Sequence, residues 1–254
     1  MKVVAVIQAR MGSTRLPGKV MLPLAGEHVL SHDIRRVNAA SCVDETVVAT
    51  STGKQDDIVK RYASREGATV FRGSENDVLG RMFGAARKTD ADVVVRVTAD
   101  CPLVAPEIID AVVERLIETD AEYACTTIER TFPRGLGVDA FTMDSFESVE
   151  ERSDEPHQRE HVVPYYHEHN DRFDTEIVTS EDVYTDARYQ DRTDLRITLD
   201  EADDYEFFRR LYSEMEWDDI IDTRRAIDYI DEHDLDQINS SVQQKTVSNS
   251  PDQG

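Results

Sequence analysis

Val3-Val4-Ala5-Val6-Ile7 opens this chain, and Gln8-Ala9-Arg10-Met11-Gly12-Ser13-Thr14-Arg15-Leu16-Pro17-Gly18-Lys19 follows it directly. The apolar, β-branched run predicts a strand that is buried on both faces, because such a strand needs no polar alternation. The segment after it carries three cations, Arg10, Arg15 and Lys19, among glycines and hydroxyl residues. Cations this close repel one another unless an anion joins them, and glycines let backbone N–H groups approach that anion. The stretch therefore predicts a polyphosphate site at the carboxyl end of a central strand.

Two familiar phosphate-binding loops do not fit this segment. A Walker A loop has four residues between its glycines and a Ser or Thr after its lysine. Here five residues separate Gly12 from Gly18, and Val20 follows Lys19. The dinucleotide fingerprint also fails, because no third glycine opens a helix at the required spacing.

The segment resembles the signature loop of the sugar-nucleotide cytidylyltransferases. The resemblance is strongest to the branch named for spore coat polysaccharide biosynthesis protein F, which is related to the CMP-sugar-acid synthetases. It implies that Arg10, Arg15 and Lys19 hold a triphosphate and stabilise the departing pyrophosphate. It also implies nucleotide contacts from the rest of the loop, namely Gln8, Ala9, Gly12, Ser13 and Thr14. The alternative is a surface loop with scattered cations, which the clustering of charge between glycines disfavours.

Strand-like and helix-like segments alternate through the first half of the chain. Strands are predicted at 3–7, 45–50, 69–71 and 92–97, and helices at 28–39, 55–66, 76–88 and 106–119. This order predicts an α/β fold in three layers, with a mainly parallel sheet and helices on both faces. The resemblance implies that this is the glycosyltransferase-A-like nucleotidyltransferase fold.

The second half is predicted to add strands and helices to the same domain. Strands are expected at 122–127, 138–142, 175–179 and 195–199, and helices at 143–151, 158–169, 202–214 and 223–232. From about residue 239 the chain becomes polar and loses core-forming residues. We therefore expect one nucleotidyltransferase domain over 1–238 and a disordered tail over 239–254.

Two aspartates follow predicted strands in positions suited to a metal ion. Asp100 comes shortly after the strand 92–97, at the edge of the sheet where open α/β folds place ligands. Asp200 comes directly after the predicted strand 195–199. Mg²⁺ prefers one or two carboxylates together with phosphate oxygens and water. Helix capping is the alternative role for both residues.

The segment 96–103 resembles the metal-binding motif of the family, which implies that Asp100 binds Mg²⁺. The segment after residue 199 resembles the one that supplies a second metal-binding aspartate, which favours Asp200. Glu201 remains an alternative ligand, and we expect Asp203 and Asp204 to cap the following helix.

Two further segments resemble parts of the family that contact substrates. The stretch 71–81 is similar to the one whose loop reaches the nucleotide base, which implies contacts from Ser74, Asp77 and Arg81. The stretch 159–163 is similar to the one that faces the sugar.

Composition limits the partners and the compartment. The formal net charge is −23, and the acidic residues are spread along the chain. Such a surface repels nucleic acid and anionic membranes, and it is typical of proteins that work in concentrated salt, where screening relieves self-repulsion. Three widely spaced cysteines, the lack of a long apolar stretch and an N-terminus without signal-peptide features lead us to expect a cytoplasmic protein with no membrane partner.

The resemblance implies a specific reaction, in which a sugar oxygen attacks the α-phosphorus of CTP to give a CMP-sugar and pyrophosphate. Mg²⁺ is the implied cofactor, and CTP and a sugar or sugar acid are the implied substrates, in the synthesis of a cell-surface or spore-coat type of polysaccharide. The sequence leaves open the identity of the sugar, the choice of CTP over another nucleotide and the oligomeric state, for which a homodimer is one candidate.

Two other functions have to be considered. A glycosyltransferase of the same broad fold would carry an Asp-x-Asp metal motif, but Thr98 stands two residues before Asp100. A non-catalytic nucleotide sensor would have no need of two metal-binding carboxylates. Both observations favour nucleotidyl transfer.

Overall fold

Strands and helices alternate along residues 1–243, the part of the chain that this computed structural model describes. The strands are β1 (Val3–Gln8), β2 (Pro23–Leu24), β3 (Glu27–His28), β4 (Glu45–Ser51), β5 (Thr69–Gly73), β6 (Val93–Thr98), β7 (Tyr123–Cys125), β8 (Asp139–Thr142) and β9 (Thr175–Ile177). The helices are α1 (Val29–Asn38), α2 (Asp57–Arg65), α3 (Val78–Lys88), α4 (Pro106–Glu118), α5 (Met143–Arg152), α6 (Pro156–His161), α7 (Pro164–Glu168), α8 (Ser180–Val183), α9 (Ala202–Glu214) and α10 (Thr223–Glu232).

The main sheet has seven strands in the order β5-β4-β1-β6-β8-β7-β9, while β2 and β3 form a separate hairpin. Strand β8 runs antiparallel to both of its neighbours, and the other pairs in this sheet are parallel. The prediction of a mainly parallel α/β sheet is therefore confirmed.

The first strand lies in the middle of this sheet and is buried on both faces, as its composition predicts. Val3, Ala5 and Ile7 pack into one hydrophobic core with residues of α1, α4, α9 and α10. Val4 and Val6 pack into the other core, with residues of α3, α5 and α7. Helices on both faces complete the three predicted layers.

The register of the central strands brings the predicted site segments to one edge. Gln8, the last residue of β1, lies opposite Ala49 of β4 and Thr98 of β6. The loop after β1 and the segment containing Asp100 therefore leave the sheet side by side. This is the carboxyl edge, where parallel sheets bind ligands.

The predicted strand 195–199 is wrong, because the segment pairs with two different neighbours in turn. The backbone of Arg134 bonds Leu195 and Ile197, at N···O distances of 3.0 and 2.7 Å, and forms an isolated bridge. The Leu199 N–H then donates to the carbonyl of Asp100 at 2.8 Å. Because the segment 195–199 changes its hydrogen-bonding partner so soon, it is extended but forms no continuous β-ladder with either neighbour. The alternation of apolar and polar residues does indicate which side chains are buried, since Leu195, Ile197 and Leu199 all lie in the core.

The predicted helix 158–169 is also wrong in its extent, because it is two helices. Helix α6 ends at His161, the next residue Val162 has a φ of 73°, and α7 begins at Pro164. Proline has no N–H to donate within a helix and is tolerated only in the first turn. Pro164 is the sequence signal for this break.

The packed structure extends past residue 238, where the tail was predicted to begin. Asn239 is buried, and its amide donates to the carbonyl of Arg196 and to Oδ1 of Asp204, each at 3.0 Å. The predicted start of the tail at residue 239 is therefore too early. The part of the predicted tail at 244–254 lies outside the described residues.

The three cysteines, Cys42, Cys101 and Cys125, are free thiols, and the last two are buried.

Across residues 1–243, each helix is too short or too polar to cross a membrane.

Gly135 makes the turn that carries Arg134 against the segment 195–199. Its φ is +112°, and a Cβ at this position would overlap the carbonyl of Ile197. Gly135→Ala should lower the free energy of unfolding by about 3 kcal/mol, from backbone strain plus the steric overlap. Urea denaturation measures this loss.

A matched control separates the two causes. Gly67 also has a positive φ, of +81°, but a Cβ there would meet nothing within 4 Å. Gly67→Ala should therefore cost only about 1 kcal/mol, from the backbone alone. Equal losses in the two variants would mean that the contact of Gly135 with the segment 195–199 is unimportant.

Candidate active site

A cavity of about 740 Å³ opens at the carboxyl edge of the sheet and is lined by the loop after β1 and by the turn around Arg134, among other segments. Most of the predicted site residues line it, namely Gln8, Ala9, Arg10, Gly12, Ser13, Thr14, Arg15, Lys19, Arg81, Asp100 and Asp200. The structure thus brings together the loop, Asp100 shortly after β6 and Asp200 shortly before α9.

Hydrogen bonds within the loop after β1 set its shape. The carbonyl of Met11 accepts from the N–H groups of Ser13 and Gly18, at 2.9 and 3.0 Å. The N–H of Met11 in turn donates to Oδ1 of Asp56, a buried carboxylate, at 2.7 Å. Gly18 adopts a left-handed conformation with φ of 72°, which a residue without Cβ reaches freely. The loop is therefore closed on itself and anchored to the scaffold, with its cations directed into the cavity.

Lys19 joins the two predicted metal ligands. Its Nζ donates to Oδ2 of Asp100 at 2.6 Å, to Oδ1 of Asp200 at 2.9 Å and to the carbonyl of Leu199 at 2.9 Å. An ammonium has three protons to donate, so these three acceptors satisfy it completely.

The pKa values of this trio are shifted by burial and by their mutual charges. Burial acts to lower the pKa of Lys19, but the carboxylates of Asp100 and Asp200 outweigh it and raise that pKa. Burial acts to raise the pKa of both aspartates, but the Lys19 ammonium outweighs it and lowers each pKa below its ordinary value. All three groups are therefore charged at neutral pH.

Asp200 is held from its other side by Arg196. Nη2 of Arg196 donates to Oδ2 of Asp200 at 3.1 Å, and its Nε donates to Oδ1 of Asp204 at 2.8 Å. The fully buried Asp204 also accepts from the backbone N–H of Asp200 at 2.9 Å. Asp204 caps α9 as predicted, and it fixes the orientation of Asp200 through both contacts.

Glu201 is engaged differently from Asp200. Its side chain takes part in the capping box of α9, and its carboxylate lies 3.6 Å from Arg15. Arg15 also contacts Asp200, with Nη2 at 2.9 Å from Oδ1. Asp200 shares a common cation with Asp100, whereas Glu201 caps a helix, so the geometry favours Asp200 over Glu201 as a partner of Asp100.

The donor set fits a hard divalent cation. Two carboxylate oxygens and a backbone carbonyl already surround one point, the position of the Lys19 ammonium. Among residues 1–243 no group of three or more His, Cys, Asp or Glu side chains is placed to hold a metal ion. A cation held by Asp100 and Asp200 would therefore need further oxygens from substrate and water, which is the usual coordination of Mg²⁺.

Ser74 and Asp77, predicted to contact the nucleotide, do not line the cavity of the described structure. Asp77 caps α3, and both of its oxygens accept from Arg159, at 2.8 and 2.7 Å. The carbonyl of Ser74 accepts from Nη1 of Arg81. Arg81 does line the cavity, and its Nε is buried without a hydrogen-bond partner. Ser74 therefore orients Arg81, and Asp77 fixes the start of the helix that carries it.

The segment 159–163, predicted to face the sugar, contributes side chains both to the scaffold and to the cavity. Arg159 is occupied by Asp77 and by Glu150, whose Oε1 lies 2.9 Å from Nη2. Glu160 and His161, the next two residues, line the cavity. One turn of helix therefore presents one side chain to the scaffold and two to the site.

The lining of the cavity outside the loop contains functional candidates that the sequence did not reveal. Arg96, in the middle of β6, lines the cavity and donates from Nη1 to Oδ2 of Asp139 at 2.9 Å. Asp139 is fully buried and also accepts from the hydroxyls of Tyr123 and Thr127, at 2.7 and 2.8 Å. The sequence signal was the single charged residue of an otherwise apolar strand.

Arg130 and Arg134 add positive charge to the same lining. Burial lowers the pKa of the Arg134 guanidinium, and the nearby charges of Arg130 and Arg196 lower it further, against a smaller opposing effect of Asp200. Arg96, Arg130 and Arg134 thus place three guanidinium groups on the cavity lining of a chain whose net charge is −23. Such a lining suits a ligand that carries an anionic group.

The comparisons with known proteins identify the family. The family model described as cytidylyltransferase matches residues 4–244. Spore coat polysaccharide biosynthesis protein SpsF of Bacillus subtilis is 31% identical over 211 residues, which cover 82% of this chain and 85% of that protein.

Two solved structures are similar over most of the chain. A cytidylyltransferase of Leptospira borgpetersenii serovar Hardjo-bovis has 32% identity and a TM-score of 0.86, covering 98% of this chain and 100% of that one. A CMP:2-keto-3-deoxy-manno-octonic acid synthetase in complex with CTP has 17% identity and a TM-score of 0.61, covering 84% and 99%. The second likeness shows the glycosyltransferase-A-like fold alone. The chain belongs to the cytidylyltransferase family, in the branch that includes SpsF, and is a CTP-dependent nucleotidyltransferase.

Proposed function

We propose that the protein transfers CMP from CTP to an acidic sugar, with release of pyrophosphate, in the synthesis of a surface polysaccharide. The main support is that Asp100 and Asp200 converge with Lys19 at one point of a cavity that is also lined by the cationic loop and by Arg96, Arg130 and Arg134. A nucleotide on the loop and an acceptor on these arginines would meet at this point. The name of SpsF supports the polysaccharide pathway, and that of the structural neighbour supports a sugar acid.

The loop would act on the phosphates. Arg10, Arg15 and Lys19 would bind the triphosphate by charge-assisted hydrogen bonds and neutralise the pyrophosphate as it leaves. Displacement at phosphorus leaves little covalent work to the protein, so positioning and charge neutralisation account for most of the catalysis.

Asp100 and Asp200 would hold Mg²⁺, for which their oxygens fit. A bound Mg²⁺ supplies neutralisation of phosphate charge and lowers the pKa of an attacking hydroxyl. Arg196 and Asp204 would keep Asp200 in the orientation that this requires.

Arg96, Arg130 and Arg134 would bind the acceptor. Arg96 is held in place by the buried Asp139, so its guanidinium is oriented before any ligand arrives. Arg134 lines the same cavity and lies near Asp200. A carboxylate on the sugar, bound by these arginines, would direct a neighbouring hydroxyl toward the α-phosphorus.

The two aspartates should be indispensable for turnover. Asp100→Asn and Asp200→Asn should each reduce pyrophosphate release from CTP and MgCl₂ by roughly a thousandfold, because each loses a metal ligand. The assay uses a panel of sugar acids as acceptors, and circular dichroism verifies that the variants are folded.

Asp203→Asn is the matched control, since Asp203 is an exposed residue in the first turn of α9. It should keep near-normal turnover. A folded Asp100 or Asp200 variant with activity close to that of the control would refute the assignment of that residue.

Substitution of the loop arginines should weaken binding of the phosphates and leave binding of the base and ribose unchanged. Arg10→Met and Arg15→Met should each weaken CTP binding roughly tenfold or more, because each removes charge-assisted hydrogen bonds worth about 1.5–3 kcal/mol. Cytidine, which has no phosphate, should bind each variant as it binds the wild type. Isothermal titration calorimetry measures both ligands.

Arg35→Met provides the control for charge alone. Arg35 pairs with Glu27 and Glu66 and does not line the cavity. Its variant should bind CTP normally. If Arg10 and Arg15 variants lost CTP and cytidine affinity equally, the loop would contact a part of the nucleotide other than its phosphates.

A further inference from the structure

Lys19 is in an unusual position for a residue whose expected partners are phosphates. Its ammonium lies 2.6 Å from Asp100 and 2.9 Å from Asp200, with the Leu199 carbonyl at 2.9 Å as the third acceptor. The lysine side chain is only 13% exposed. Lys19 therefore uses all three of its protons on the oxygens that would surround a divalent cation.

The carboxylate of Asp200 is already in contact with three cationic side chains. Oδ1 accepts from Lys19 and contacts Arg15, each at 2.9 Å, and Oδ2 accepts from Arg196 at 3.1 Å. Mg²⁺ binds oxygen at about 2.0–2.1 Å, much closer than an ammonium does. A cation at that distance from the oxygens facing Lys19 would overlap the Nζ and repel its charge. The two occupants are therefore mutually exclusive.

Lys19 has an alternative place to go once a nucleotide binds. It follows Gly18 at the end of the loop whose cations face the cavity, and its four-carbon stem is flexible. Phosphate oxygens bound along the loop would offer its ammonium new acceptors. If the Lys19 ammonium moves from the two carboxylates to phosphate oxygens, it still has an anionic partner. If it moves into water, it has none.

We propose that Lys19 holds the metal position in the free enzyme, and that the triphosphate admits the divalent cation by drawing Lys19 away from Asp100 and Asp200. This inference rests on the proposed metal site. By linkage, nucleotide raises the affinity for the cation, and the cation raises the affinity for nucleotide by the same factor. In the absence of nucleotide, the free protein binds the cation weakly because the ammonium competes for its ligands.

The test is Mn²⁺ binding to the full-length, nucleotide-free protein, measured from the electron paramagnetic resonance signal of free Mn²⁺. Lys19→Met should bind Mn²⁺ at least about tenfold more tightly than the wild type, because a unit charge within bonding distance of the site is gone. Lys19→Gln serves as a second variant, since its amide can still donate to a carboxylate but carries no charge. Thermal melting verifies that both are folded.

Arg10→Met is the matched control. It removes one positive charge from the same loop, but Arg10 pairs with Glu75, at 3.6 Å, and not with either aspartate. Its Mn²⁺ affinity should stay within about threefold of the wild type. Asp200→Asn added to Lys19→Met should abolish the gain.

Three results would overturn the inference: equal Mn²⁺ affinity in Lys19→Met and wild type, an equal gain in Arg10→Met, or a gain that survives Asp200→Asn. These outcomes leave the proposed transfer of CMP standing; that proposal fails if the wild-type protein releases no pyrophosphate from CTP with any sugar acid of the panel. Tight binding confined to the Lys19 variants supports the exchange.

Discussion

The pairing of Lys19 with Asp100 and Asp200 is the interaction on which the site depends. It joins three parts of the chain that are far apart in sequence, because Asp100 lies 81 positions and Asp200 181 positions after Lys19. Two carboxylates this close and this buried repel each other unless a cation lies between them. The fold therefore requires positive charge at the point where the proposed reaction takes place.

The scaffold is arranged to hold that point rigidly. The parallel register of β1 and β6 places the loop and Asp100 at one edge of the sheet. Asp200 arrives from much later in the chain and is fixed by Arg196 and Asp204, which Asn239 contacts in turn. The residues beyond α10 thus take part in orienting a residue of the site.

The sequence predicts features that depend on neighbouring residues, but not those that depend on contacts between distant parts of the chain. The cationic loop and Asp100 were recognisable because each follows an apolar strand within a few residues, and strand ends of a parallel sheet share an edge. Arg134 was not recognisable, because its position depends on a bridge to Arg196 across the chain. The same bridge explains why 195–199 is not a strand, and the ion pair between Asp77 and Arg159 is equally non-local. Local pattern predicts elements, but long-range pairing decides which side chains face the cavity.

A crystal structure with CTP and MnCl₂, without an acceptor, tests whether the loop binds the triphosphate while Asp100 and Asp200 hold the divalent cation. The anomalous signal of manganese locates the cation. The expected result is one manganese peak bonded to Asp100 and Asp200, phosphates along the loop and the Lys19 ammonium on phosphate oxygens. A manganese peak elsewhere, or Lys19 still bound between the two aspartates with CTP present, would contradict it.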